Sequence, residues 1–266
     1  MARSKLLVPP RNSPDGVTHR ITPEDAGWTY VGFESRSILE DRPAALNTGN
    51  REICIVLLSG KARVRTAEFD SGPIGERANV FSGLPWSVYA PPGQDVTIST
   101  DEACELAICS APAVGKFPAR VIPPDQVETL TRGKGTNIRH VRNILSETAA
   151  AESLLVVEVI TPAGHWSSYP PHKHDRDALP AESLLEETYY HRLSPPQGFA
   201  LQRDYTEDRE LDETMAVGDR DVVLVPRGYH PVSAAHGYDL YYLNVMAGPK
   251  RTWRFHNDPA HEWLMA

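Results

Sequence analysis

Apolar residues in this chain come in short bursts rather than at helical spacing. Runs at 53–58, 62–66, 96–100, 106–110, 154–161, 187–193, 199–205, 221–225 and 240–245 are rich in strand-forming residues, and Gly, Pro, Asp or Ser bounds each of them. The 23 prolines and 18 glycines are spread throughout and leave few stretches long enough to hold a helical period. Short strands separated by turn signals predict an all-β sandwich or barrel architecture. Ser59-Gly60-Lys61 reads as a tight turn between two strands, and one short helix is expected within 136–151.

The pattern also falls into two similar parts. Each half offers a strand–turn–strand pair, a Pro-Gly turn and a closing pair of strands; the turns are Pro91-Pro92-Gly93 and Pro226-Arg227-Gly228. Two β-barrels are therefore expected, joined where prolines cluster around 116–124, so that the domains span 1–120 and 121–266. A chain of 266 residues has room for both.

Charge narrows the function. The formal net charge of −8, with no long run of either sign, disfavours nucleic acid and anionic membranes, which need a basic face. A small acidic ligand stays open, because a few local Arg or Lys residues hold one carboxylate. The longest apolar runs, such as 53–58 and 154–157, are too short to span a bilayer. The start, MARSKLLVPPRN, lacks an apolar signal core. Cys54, Cys104 and Cys109 are odd in number and form no CxxC; they read as small buried hydrophobes in a reducing cytoplasm.

Histidine placement carries the chemistry. Eight of the ten histidines lie from His165 onward; only His19 and His140 precede them. Tyr169-Pro170-Pro171-His172-Lys173-His174-Asp175 contains His-x-His, and on a strand alternate residues share a face, so both imidazoles point the same way. Glu186-Glu187 then opens a strand, and Pro226-Arg227-Gly228-Tyr229-His230 closes another. A barrel that gathers these strand ends would hold a mixed N/O site suited to Zn, Mn, Fe, Ni or Co. His165, His191, His236, His256 and His261 have no matched spacing and read as structural or surface histidines. Tyr189-Tyr190 and Tyr241-Tyr242 read as strand residues with one ring in and one out, and Glu207-Asp208 and Asp212-Glu213 as a solvated loop.

The order His-x-His, Glu, Pro-x-Gly-x-His resembles the two metal motifs of the cupin superfamily. Together with Leu185-Glu186-Glu187-Thr188-Tyr189-Tyr190, Pro226–Pro231 and the tail Asp258-Pro259-Ala260-His261-Glu262-Trp263, it is most similar to the 5-deoxy-glucuronate isomerase family of myo-inositol breakdown. The uronate ketol-isomerases of pectin breakdown are a sister family with a similar ligand set. The resemblance implies two tandem cupin-type barrels (a bicupin), with one divalent transition metal in the C-terminal barrel on His172, His174, Glu187 and His230. Glu187 is preferred to Glu186 because Thr188-Tyr189 after it fits the family's strand. The first half has no such set, so its barrel is expected to be metal-free and to serve packing and assembly, with a homo-oligomer compatible.

The implied reaction converts 5-deoxy-D-glucuronate to 2-deoxy-5-keto-D-gluconate through an enediolate, whose charge a divalent cation would stabilise. Glu187 is the candidate ligand, base or both, and Tyr189 shares its strand face as a second proton-handling group. The substrate carboxylate needs a cation. Lys173, Arg192, Arg203 and Arg227, with Arg251, lie nearest the motifs in sequence. An oxygen-dependent dioxygenase or a non-enzymatic sugar-acid-binding cupin would carry a similar ligand set, because this fold hosts many functions.

Overall fold

The computed structural model describes residues 4–265, so the first three residues of the N-terminal stretch read above lie outside the described residues. All nine apolar runs form strands. The longest are Arg51–Ser59, Cys104–Pro112, Glu186–Ser194 and Asp239–Ala247, and helix among the described residues is confined to short segments, the longest being the 3-10 stretch Pro259–Met265, so the chain is all-β.

The chain divides into two compact units, but not at 120/121. One unit is Arg11–Glu128 with Asn143–Val156; the other is Met1–Pro10, Thr129–Arg142 and Val157–Ala266. The reading missed this discontinuity because strand pairing, not chain order, decides membership. Leu7–Val8, for example, pairs with Val222–Val225.

In the first unit, a six-stranded sheet carries Arg120–Ile122, Ser87–Ala90, Arg51–Ser59, Cys104–Pro112, Gly32–Ile38 and Val17–Ile21, in that order. A four-stranded sheet carries Ala44–Asn47, Asp95–Ser99, Ala62–Arg65 and Asp70–Ile74. Ile55, Leu57, Val88 and Leu106 of the larger sheet and Val64, Val96 and Ile98 of the smaller pack into one buried cluster. The strand Arg51–Ser59 is apolar on both faces because it lies in the interior of its sheet with seven consecutive buried residues. The turn after it needs glycine. Gly60 has φ +74°, and a Cβ there would sit 2.7 Å from the Ala103 carbonyl oxygen.

Cys54 and Cys109 face each other across that sheet, fully buried and free, as their apolar surroundings suggested. Burial pushes the Cys54 thiol up to about 12.

The second unit is built on strands Val222–Val225, Glu186–Ser194, Asp239–Ala247 and Leu155–Thr161, with a smaller sheet of Trp166–Ser167, Val232–Ala234, Ala200–Tyr205 and Asp212–Val217. Three expectations are corrected here. Within 136–151 there is no α-helix: one 3-10 turn, Gly135–Asn137, leads into strand Arg139–Leu145. Cross-strand pairing overrides the local pattern, since Arg142 reaches the buried Glu158 at 2.8 Å. The tyrosine pairs do not alternate in and out; Tyr189, Tyr190, Tyr241 and Tyr242 are all buried, because both faces of these strands are covered. Asp212-Glu213 begins a strand rather than a loop. Among the described residues no helix is long and apolar enough to cross a membrane.

One buried carboxylate ties the 143–156 segment into the first unit. Glu52, fully buried, accepts hydrogen bonds from the backbone N–H groups of Glu152 (2.9 Å), Ser153 (2.6 Å) and Leu154 (2.7 Å) and from the Tyr89 hydroxyl (2.7 Å). Removing it strands four donors in a dry environment, which costs far more than one surface hydrogen bond. Glu52→Ala is expected to lose about 3 kcal/mol or more of unfolding free energy in urea. Tyr89→Phe, which leaves the three backbone bonds intact, should lose about 1 kcal/mol. A Glu52→Ala midpoint equal to wild type would show that this carboxylate does not anchor the segment.

Candidate metal centre

The site assembles from three places on the second unit. His172 lies on a two-residue strand, His172–Lys173, paired with His256–Asn257, and His174 follows it. Glu187 is the second residue of the strand Glu186–Ser194, held between Val225 and Met246. His230 follows the loop that ends strand Val222–Val225. That loop depends on Gly228: φ is +91°, and a Cβ would lie 2.5 Å from the Tyr205 carbonyl oxygen. Its N–H donates to Asp175 Oδ2 at 2.8 Å, which ties the His230 turn to the His-x-His segment.

Three of the four expected ligands converge. His174 Nε2 lies 3.1 Å and His230 Nε2 3.3 Å from Glu187 Oε2, and the three side chains are buried. Their ligand atoms all lie within 4.8 Å of one another. His172 stands beside them with its ring centroid 4.9 Å from that of His230, 6.3 Å from that of His174 and 4.7 Å from Phe255. Of the adjacent carboxylates, Glu187 meets the histidines, because Glu186 projects to the other face of the strand.

Hydrogen bonding fixes what the imidazoles present. His174 Nδ1 is 3.0 Å from the Leu185 carbonyl oxygen and His230 Nδ1 is 2.9 Å from that of Gly228. A carbonyl only accepts, so each Nδ1 carries a proton and donates it. When neutral, such a ring aims an Nε2 lone pair at the carboxylate oxygen; His174 can instead donate to Glu187 once it carries a second proton. His230 Nε2 is buried and has no hydrogen-bond partner. Such a convergence of acceptors is unfavourable unless positive charge lies among them.

Protons serve this need poorly. Burial opposes charge on His174, but the hydrogen bond and charge of Glu187 carry its pKa up; burial pushes His230 down to about 4 despite the same carboxylate. His172 is driven well below the ordinary value, first by burial and then by its histidine neighbours. A divalent cation fits instead. Ligand atoms about 2.1 Å from a common ion, at tetrahedral or octahedral angles, stand roughly 3.0–3.4 Å apart, and both imidazole nitrogens lie at such a distance from Glu187 Oε2, 3.1 and 3.3 Å.

A cavity of about 420 Å³ opens on Glu187, and His172, Tyr189, Tyr242, Ser168 and Asn244 are among its other lining residues. Glu187 is the one carboxylate in that lining. Tyr189 shares a 2.8 Å hydrogen bond with Ser168, whose backbone has φ 51°. Burial, and then the Glu187 charge, pushes the Tyr189 phenol well above its ordinary pKa, so it stays protonated. Beneath the site His191, fully buried, bonds Gln202 at 3.0 Å and is structural, as read; burial pushes it down to about 3.

The expected substrate cations are not at the cavity. Lys173 is 1% exposed and bonds Asp175 at 2.8 Å and Glu182 at 2.9 Å, so it braces the His-x-His segment from behind. Arg192 pairs with Asp219 at 3.1 Å, Arg203 holds Asp212 through two 2.7 Å bonds, and Arg227 reaches Glu210 at 3.4 Å. Neither these four nor Arg251 lines the cavity. Proximity in sequence misled because neighbours on a strand point to opposite faces. The cations that do line it, Arg132, Lys134 and Arg139, lie about 30 residues or more before the His-x-His segment, on and beside a stretch expected to be helical.

Comparison with known proteins agrees with this geometry. Residues 6–264 match the KduI/IolB family model. A protein of Geobacillus kaustophilus named 5-deoxy-glucuronate isomerase is 53% identical over 264 residues, covering 98% of this chain and 96% of that one. Its Bacillus subtilis namesake is 47% identical over 251 residues, covering 94% and 93%. The crystal structure of an IolB-like protein from Salmonella typhimurium superposes with a TM-score of 0.96 at 48% identity, covering 99% of this chain and all of that one. The cupin-like Bacillus subtilis oxalate decarboxylase shares the fold at a TM-score of 0.67 and 12% identity, covering 97% of this chain and 80% of that one. The matched length, the identity and the all-β fold together place this chain in the KduI/IolB family.

Proposed function

We propose that this protein is an aldose–ketose isomerase that converts 5-deoxy-D-glucuronate to 2-deoxy-5-keto-D-gluconate in myo-inositol catabolism. Its two units would be tandem cupin-type barrels, with a divalent metal in the C-terminal one on His174, Glu187 and His230, and His172 as the fourth ligand. The observation that carries the reading is the buried His-His-Glu convergence beside a cavity in which Glu187 is the one carboxylate among the described residues. The names of the 46–54% identical relatives supply the substrate.

A divalent cation held there supplies Lewis-acid polarisation of neighbouring carbonyl and hydroxyl oxygens. The protein's residues supply the proton transfer. Glu187, the one carboxylate in the lining among the described residues, takes the proton from the hydroxyl-bearing carbon beside the aldehyde and returns it to the aldehyde carbon, while the proton of that hydroxyl passes to the former aldehyde oxygen, so that no proton is gained or lost overall. Tyr189, kept protonated and oriented by Ser168, donates a hydrogen bond to the oxygen that gains charge. Apolar walls from Val141, Val157 and Val159 keep bulk water from the enediolate.

The purified protein is expected to carry about one divalent metal per chain. Elemental analysis should show most of it lost in His174→Ala and His230→Ala and kept in His261→Ala, whose histidine lies in the tail. His172→Ala should weaken metal binding by about 10- to 100-fold. Full retention in both triad variants would remove the site.

In D₂O, turnover should place deuterium at the carbon that receives the proton. A hydride shift would instead keep all label from a substrate deuterated beside the aldehyde. Glu187→Gln should abolish exchange, and metal content on the same sample separates loss of a ligand from loss of a base.

Tyr189→Phe, which removes only a hydroxyl, should lower kcat by roughly 10- to 100-fold without loss of metal. An unchanged kcat would exclude Tyr189 from the chemistry.

A further inference from the structure

The cavity wall carries three positive side chains with no negative partner. Arg132, Lys134 and Arg139 all line it, and none has a carboxylate within ion-pair distance among the described residues. Arg132 lies 5.8 Å over the Trp253 ring. Arg139 donates through one terminal nitrogen to the carbonyl oxygens of Asn137 (3.2 Å) and Tyr169 (3.4 Å). Those two contacts hold the guanidinium in place, and its other N–H groups meet no acceptor among the described residues.

This differs from Lys173, Arg192, Arg203 and Arg227, which are all paired with carboxylates. Arg139 lines the same cavity as Glu187, His172 and Tyr242, and burial lowers its pKa. A half-buried guanidinium that is oriented but unpaired is costly in an isolated protein, and an incoming anion offsets that cost. The planar fork also suits a carboxylate better than a hydroxyl.

We infer that Arg139, flanked by Arg132 and Lys134, is the carboxylate-recognition wall of the cavity and selects a hydroxylated monocarboxylate over the neutral sugar of the same shape. The inference deepens the isomerase reading and rests on it for the orientation of the substrate. The carboxylate binds the cationic wall while the aldehyde end lies at Glu187 and Tyr189. One pole of the cavity then reads the acid and the other performs the proton transfer. The tail residues Leu264 and Met265 and the rings of Trp253 and Phe255 add apolar surface to the same lining. That surface lowers the local dielectric and strengthens the ion pair.

The test compares two ligands on the metal-loaded, full-length protein: 5-deoxy-glucuronate, and the 5-deoxy-hexose in which CH₂OH replaces the carboxylate. Binding is measured by calorimetry and turnover by KM and kcat. Wild type should prefer the acid. Arg139→Met should raise Kd and KM for the acid by roughly 10- to 100-fold, the loss of one charge-assisted bidentate contact, and should move those of the neutral sugar far less.

Lys134→Met should cost several-fold in the same direction. Its side chain is exposed and has no bonded partner, so this variant keeps its fold even if Arg139→Met disturbs the 133–137 loop. Arg139→Lys should recover part of the preference. If the acid-to-neutral ratio in both Met variants matches wild type, the wall assignment fails, whatever the isomerase result. If wild type binds the acid through Arg139 but does not isomerise it, the wall stands and the reaction is the part overturned.

Discussion

Glu187 Oε2 and two imidazole nitrogens meet at 3.1 and 3.3 Å in a site closed to solvent, and the rest of the second unit is arranged around that meeting. All three atoms are acceptors once the Nδ1 protons are committed to the Leu185 and Gly228 carbonyls. Acceptors do not gather in a dry interior without a cation among them, so the geometry has a cost that a bound divalent ion reverses. The two histidines also cannot share protons evenly: one is raised by Glu187 while the other is pushed down to about 4.

The scaffold that holds this arrangement is rigid for identifiable reasons. Glu187 lies on an interior strand with pairing on both sides, so its position is fixed by register. His230 is placed by a left-handed glycine whose missing Cβ lets the loop approach Tyr205 closely. Asp175 links the two: one oxygen accepts from Gly228 N–H and the other from the buried ammonium of Lys173, which is in turn held by Glu182. Lys173 thus acts behind the ligands rather than toward a substrate. This is the outer support that sets ligand orientation in metal sites.

The cavity has a corresponding polarity. Its single carboxylate belongs to the triad, while its cations come from the segment 132–139. The chain as a whole is acidic at −8, so a local positive wall stands out from its surroundings and gives an anionic ligand one favourable place to dock. The proposed proton transfer would use a charged Glu187 and a protonated Tyr189, and burial of the phenol together with the Glu187 charge favours the protonated tyrosine.

The all-β class was legible in the sequence because it follows from local patterns, and the histidines and glutamate that gather at the candidate site stand in motifs visible there. Short runs of strand-forming residues with Gly, Pro, Asp or Ser at their ends mark strands such as Arg51–Ser59 and Glu186–Ser194. Strands with mixed polarity, such as Gly32–Ile38 and Arg139–Leu145, were not legible; their charged residues find partners only across the sheet, as Arg142 does on Glu158. The discontinuous units and the full burial of Tyr189-Tyr190 and Tyr241-Tyr242 were likewise decided by pairing between distant segments. Charge partners followed the same rule. Arg192, Arg203 and Arg227 are close to the motifs in sequence but neutralised by Asp219, Asp212 and Glu210, whereas Arg139, distant in sequence, faces the cavity without a carboxylate. Residue type and spacing determine which atoms can bind; only the tertiary structure decides which of them remain unpaired and face the same space, because that depends on contacts between segments far apart in the chain.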